Sequence, residues 1–199
     1  MKEGRIYIEE GEAWFSLASE RPLTNHLPKA VRVNPNIEYL DQKIITTEDA
    51  ELLQNIARAT NTTYFLFSAG SAKDQILDQL ADKINSFEGY NLYQTNFEPI
   101  MANKVKINDL NSLVEIDWRI KKEDLNNYVA WQHSIEDKVN FIQENNHQYV
   151  IETDIKAGEA VLIKMNYNSA FKAKVGQDDL AIKKDPLGFI VIIPKKTGT

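Results

Sequence analysis

Three histidines, no cysteine and a few clustered carboxylates are what this 199-residue chain offers for catalysis or metal binding. His26, His133 and His147 stand singly, without the His-x-x-x-His spacing that sets two imidazoles on one helix face. A zinc site would need ligands gathered from distant parts of the chain, and surface or hydrogen-bonded histidines are the simpler account. The lack of cysteine removes disulfides, thiol nucleophiles and thiolate ligands. The stretch "SAGSAKDQ", residues 68 to 75, places Gly70 between a strand and a helix start, where backbone amides could hold a phosphate. It has neither Gly-x-Gly-x-x-Gly nor the Lys-Ser/Thr of a P-loop, and an N-capped helix start explains it as well. The carboxylate pairs Glu9-Glu10 and Asp178-Asp179 fall at strand ends and turns, where exposed charge is expected rather than the burial that separates acid from base. The reading therefore assigns no catalytic residue, no metal ligand and no cofactor.

Aromatic residues are the other possible site. Indole faces stack on the apolar faces of sugar rings, but large aromatics also make cores, so Trp14, Trp118 and Trp131 carry both readings. Trp118, Arg119 and Trp131 lie in a segment joining two differently patterned halves. They are the candidate ligand-binding residues, in an open groove of the kind found between structural units. The alternative is that both tryptophans glue the halves together.

The positioning elements follow from periodicity. Arg5 to Glu9 reads as a strand, and Asn25 to Lys43, with two prolines, as a loop. Thr46 or Thr47 caps a helix carrying Ala50, Leu53, Ile56 and Ala57. "TTYFLF" is a buried strand, and a second helix is expected from Ser71 to Phe87, with Gly89 past its end. Tyr90 to Thr95 is a strand, and Leu125, Tyr128, Val129 and Gln132 fit a short helix. From Lys138 the period drops to two, through Tyr149 to Ile155, Val161 to Tyr167, Phe171 to Val175, Leu180 to Lys183 and "FIVIIP", with turns at "KAGE", "GQDD" and "DPLG". The expected fold is α+β. A small α/β unit (1–110) with two helices on a short sheet is followed by a connecting segment (111–137) and an antiparallel, sandwich-like β unit (138–199).

At 43% apolar and 26% charged residues the composition is that of a folded globular protein, and the net charge of -6 does not suit nucleic acid. Residues 171–196 hold six Lys against three Asp, so the rest of the chain carries -9. No apolar run reaches the ~20 residues of a membrane span, and "MKEGRIYIEEGE" is too polar for a signal peptide, so the chain as given is expected neither to span nor to insert.

The stretch "GEAVLIKMNYNSAFKAKVGQDDLAIKKDPLGFIVIIPKKTG" resembles the C-terminal extracytoplasmic β-domain of a family of bacterial polytopic membrane proteins. That family is related to GT-C type glycosyltransferases and is sometimes labelled 6-pyruvoyl-tetrahydropterin synthase-related. Tyr167, Phe171, Ala173, Gly176 and Gly188-Phe189 follow its order of elements, and "GRIYIEEGEAWFSLASERPLTNH" and "LLQNIARATNTTYFLFS" are similar to its preceding segments. Phe171 stands where the family usually has Trp, its closing strand after "KKTG" has no counterpart, and the three scattered histidines do not fit the pterin enzyme's zinc site. The resemblance implies a non-catalytic module on the extracytoplasmic face of a bacterial membrane. Its partners would be a glycan or lipid-linked sugar and the membrane-embedded remainder of the same polypeptide, with any catalytic carboxylate outside this chain. A free-standing carbohydrate- or ligand-binding protein, a small enzyme with a site assembled from distant residues, and a cytoplasmic location remain as alternatives. About ten apolar spans encoded upstream of residue 1 would separate the first reading from the second.

Overall fold

A computed structural model describes residues 5–8, 40, 43–44, 46–87, 89–116, 121–133, 139–145 and 148–194. These form an α+β fold in two compact units that interleave along the sequence. One comprises Met1–Pro99 with Asp117–Val129, the other Ile100–Ile116 with Ala130–Thr199. This differs from the sequence-based division at 110 and 137 because residues 100–116 join the β unit, through a strand with a single large apolar residue, Val105.

In the first unit, β1 (Arg5–Ile8) pairs parallel with β2 (Thr62–Ser68), which pairs antiparallel with β4 (Tyr90–Thr95), and β4 with β3 (Ala81–Phe87). Alternation sorts the central strands. Tyr7, Phe65 and Phe67 gather on one face with ring centroids 5.4 to 6.3 Å apart, while Ile6, Ile8 and Tyr64 pack on the other with Leu66 and Leu92. A strand buried on both faces reads as a continuous apolar run, as "TTYFLF" does.

Helix α1 (Ala50–Thr60) precedes β2 and buries Leu53, Ile56 and Ala57. Its N-cap is Asp49, whose carboxylate accepts from the Leu52 amide at 3.1 Å. The sequence pointed instead to Thr46 or Thr47. Thr47 serves one step back, its hydroxyl accepting from the Asp49 amide at 3.0 Å. Asn61 ends the helix in the left-handed region (φ 60°), a conformation Asn tolerates better than most residues.

Helix α2 (Ala72–Leu80) stops seven residues short of its expected end. Asp82, Asn85 and Ser86 are poor helix formers, and residues 81–87 instead form β3 against β4, with a register shift between Lys83 and Asn85. Ile84 and Phe87, assigned to the apolar helix face, are exposed. Gly89 (φ 81°) closes the β3–β4 turn, and since a glycine with positive φ serves helix ends and hairpins alike, its signal was ambiguous.

In the second unit, β5 (Ala102–Lys106), β8 (Glu159–Asn166), β11 (Phe189–Ile193), β10 (Asp178–Lys184) and β9 (Ala173–Val175) form one antiparallel sheet in that order. A separate hairpin, β6 (Asn140–Asn145) with β7 (Gln148–Glu152), supplies Phe141 and Ile151 to the same apolar cluster as Val161, Ile163 and Ile190 of the sheet. The short helix α3 (Ile107–Asn111) follows β5. Helix α4 (Lys122–His133) belongs to the first unit as far as Val129 and, as expected from its apolar spacing, buries Leu125, Tyr128 and Val129.

The turns match their residues. Gly176 (φ 58°) lies between Val175 and its cross-strand partner Asp178. At Asp185–Gly188 the Gly188 amide donates to the Asp185 carbonyl at 3.0 Å, and the buried Asp185 carboxylate accepts from the Leu187 and Phe189 amides at 2.9 and 2.7 Å.

Candidate functional site

The two-residue period of the β unit places one set of side chains on a common surface. Register puts Val161 beside Ile192 and Ile192 beside Ile182, while Ile163 lies between Ala102 and Ile190. Leu180 opposes Ala173 at the β9 edge. Facing this surface, the β6–β7 hairpin presents Phe141 and Ile151 as a cross-strand pair, with the Tyr149 ring stacked on Phe141 at 5.2 Å. Between them lies an apolar pocket of about 550 Å³. Its wall runs from Phe141, Tyr149 and Ile151 through Val161, Ile163 and Met165 to Ile182, Ile190 and Ile192, and its edge reaches Phe171 and Val175. Phe171 is 38% and Val175 55% exposed, so large apolar groups reach solvent at this margin. Two charged side chains among the described residues line the pocket, Lys172 and Lys174. Lys174 makes an exposed ion pair with Asp179 at 3.5 Å, and Lys172 makes none among the described residues.

The second polar feature is buried in the α/β unit. Ser71 caps α2, its hydroxyl accepting from the Asp74 amide at 3.2 Å. The Asp74 carboxylate turns back to accept from the Gly70 amide at 2.9 Å, from Asn91 Nδ2 at 2.8 and 3.0 Å, and from the Tyr93 hydroxyl at 2.5 Å. Burial alone pushes Asp74 up, but the hydrogen bonds from Tyr93, Asn91 and Gly70 outweigh it and hold the carboxyl below its usual range. Tyr93 is driven well above the ordinary phenol value by burial first and then by the Asp74 and Asp78 carboxylates. The Gly70 amide, which the sequence offered to a phosphate, is therefore taken by the chain's own carboxylate, and the N-capped helix start is what the structure contains. The "SAKD" spacing, a Ser followed three residues on by an acid, was the available signal for this network.

Of the candidates Trp118, Arg119 and Trp131, Trp131 lies half-buried in α4, while Trp118 and Arg119 fall outside the described residues, as do Trp14, Glu9 and Glu10. His26 and His147 are also outside them, and of His133 only the backbone in α4 is described. Asp178 and Asp179 are exposed on β10. Among the described residues no group of three or more His, Asp or Glu side chains is arranged to hold a metal ion, and no helix is long and apolar enough to cross a membrane.

No protein-family model, no curated protein and no solved structure matches the chain.

Proposed function

We propose that this chain is a non-catalytic binding module of a membrane glycosyltransferase-like protein, and that its β unit holds the hydrocarbon part of an amphiphile such as a lipid-linked sugar. The observation carrying this reading is the apolar pocket of about 550 Å³ between the β6–β7 hairpin and the five-stranded sheet, a size usual for small-molecule sites. A glycan placed there would set hydroxyls against Ile163, Met165, Ile190 and Ile192 with few partners, and an unpaired buried polar group costs about 1–3 kcal/mol. A hydrocarbon chain loses nothing comparable and gains about 0.8 kcal/mol per buried CH₂. Of the two expected partners, the pocket thus favours the lipid-linked one. The membrane and glycosyltransferase context rests on the resemblance of residues 158–198, the stretch that also builds most of the pocket wall.

The test is ligand binding by the chain and by Ala173→Trp, which places an indole in the pocket from the edge strand. Dodecanol should displace the neutral dye Nile red from the unmodified chain, whereas a malto-oligosaccharide should not. Ala173→Trp should weaken dodecanol binding by at least about tenfold with the circular dichroism spectrum unchanged. No binding of dodecanol to the unmodified chain, or equal binding to the variant, refutes the reading.

A further inference from the structure

We infer that the ligand of this pocket is an anionic amphiphile, one hydrocarbon chain ending in a carboxylate or phosphate that meets Lys172 at the pocket edge. The inference rests on the pocket reading above and adds the chemistry of the head.

Three observations carry it. First, among the described residues the charged side chains lining the pocket are both lysines and no acid lines it, so a negative head is attracted there and a cation repelled. Second, these lysines are exposed while the rest of the lining is mostly aliphatic and aromatic. A ligand satisfying both zones needs an apolar body and a wet anionic end. The two lysines differ, because Lys174 opposes Asp179 in the β9–β10 register and already pairs with it, whereas Lys172 has no carboxylate partner among the described residues. Lys172 is therefore the main head-group contact, and Lys174 adds to the local potential. Third, charge is segregated along the chain. The stretch 171–196 has an excess of three positive charges in a protein of net charge -6, so in sequence it is the part of the chain that disfavours an anion least.

Carboxylate and phosphate heads share this chemistry, and a free anion would share part of it, so the experiment compares them. Dodecanoate, dodecyl phosphate, dodecanol and dodecyltrimethylammonium, each below its micellar concentration, are titrated into the full chain by calorimetry, with inorganic phosphate and acetate as controls that have the head without the tail. The two anionic amphiphiles should bind about two- to fivefold tighter than dodecanol, the range of a solvent-exposed ion pair, and the cationic one more weakly than dodecanol. Whichever anion binds tighter identifies the head, and equal binding supports a shared anion site. The preference should shrink as salt is raised, and each CH₂ removed should weaken binding about fourfold. Lys172→Gln should remove most of the preference for anions and Lys172→Glu should reverse it, each read as the ratio of dodecanoate to dodecanol affinity within the same variant.

If dodecanol binds as tightly as dodecanoate and Lys172→Glu alters neither, the inference falls while the pocket reading stands. If no dodecyl compound binds, both fall. Binding of inorganic phosphate as tight as that of dodecyl phosphate would also overturn it, since the chain would then contribute nothing.

Discussion

Replacing Tyr93 by Phe removes one buried hydroxyl from the Asp74 network and leaves the ring in place. In the native chain that hydroxyl reaches Asp74 Oδ1 at 2.5 Å and Asp78 Oδ1 at 3.0 Å, and the tyrosine is 0% exposed. A hydrogen bond to a charged group contributes about 1.5–3 kcal/mol. Asp74 keeps its bonds from Asn91 and Gly70, so the expected cost at neutral pH is about 2 kcal/mol, a sizeable share of the 5–15 kcal/mol that stabilises a typical domain. The pH dependence gives a second readout. Asp74 has a folded pKa below its ordinary value of 3.8, so its contribution is fully present above that value and is lost as pH falls through the folded pKa. Losing the Tyr93 donor raises the folded pKa, so the variant loses stability at a higher pH than the parent. The gap between the two proteins should be full at pH 7 and shrink below about pH 4. At the alkaline end the sign reverses. The raised Tyr93 phenol favours folding below its ordinary value of 10.0, and this contribution is lost only as pH rises toward the folded value. Urea unfolding followed by circular dichroism from pH 7 to pH 2.5 measures the difference. A loss under about 0.5 kcal/mol at pH 7, or a gap that stays constant down to pH 2.5, would refute the account of Asp74 as a carboxylate held by donors.

Four further outcomes are expected. Asp49→Ala should cost about 1 kcal/mol through the lost α1 cap, and Asp49→Asn much less, measured by thermal unfolding. Gly176→Ala should cost about 1 kcal/mol because φ is 58° there; no neighbour lies within 4 Å of the added Cβ, so a larger loss would mean the hairpin itself had opened. Leu162→Ala, at a fully buried β8 position facing away from the pocket, should cost about 2–5 kcal/mol, while Ile192→Ala on the half-buried pocket side should cost less and weaken hydrocarbon binding. Asn103→Leu should be neutral or stabilising by about 1 kcal/mol in urea titration, because Asn103 Nδ2 is buried with no partner.

What was legible in the sequence tracks how strongly each element's burial is written into its own residues. From Tyr64 to Phe67, and along "FIVIIP", the residues run apolar because β2 and β11 are buried on both faces, and both were readable as buried strands. The turns at "KAGE", "GQDD" and "DPLG" carried their glycines and proline openly, and α1 and α4 showed buried residues at helical spacing. Strand β3 was missed because it is exposed along nearly its whole length, leaving no alternation, while Ile76, Leu77, Leu80, Ile84 and Phe87 fall by chance at helical intervals. Strand β5 was missed because its place in the sheet is fixed by pairing with β8, some 57 residues away in sequence at Lys104 and Val161, rather than by its own composition.

The pocket was illegible for a different reason. Val161, Ile163, Ile182, Ile190 and Ile192 look in sequence like any inward-facing set, and nothing in their spacing tells a filled core from an open one. The distinction arises from what opposes them. The five-stranded sheet offers a broad apolar surface, but the layer facing it contains the two-stranded hairpin β6–β7, too narrow to cover that surface. On the β9 edge, Phe171 and Val175 are consequently left partly in water, at a cost that scales with their exposed apolar area. A ligand that covers them together with the inner wall recovers that cost. Lys172 and Lys174 at that margin favour a ligand whose exposed end is negative, so the packing mismatch accounts for the pocket and the lysines for the head group proposed.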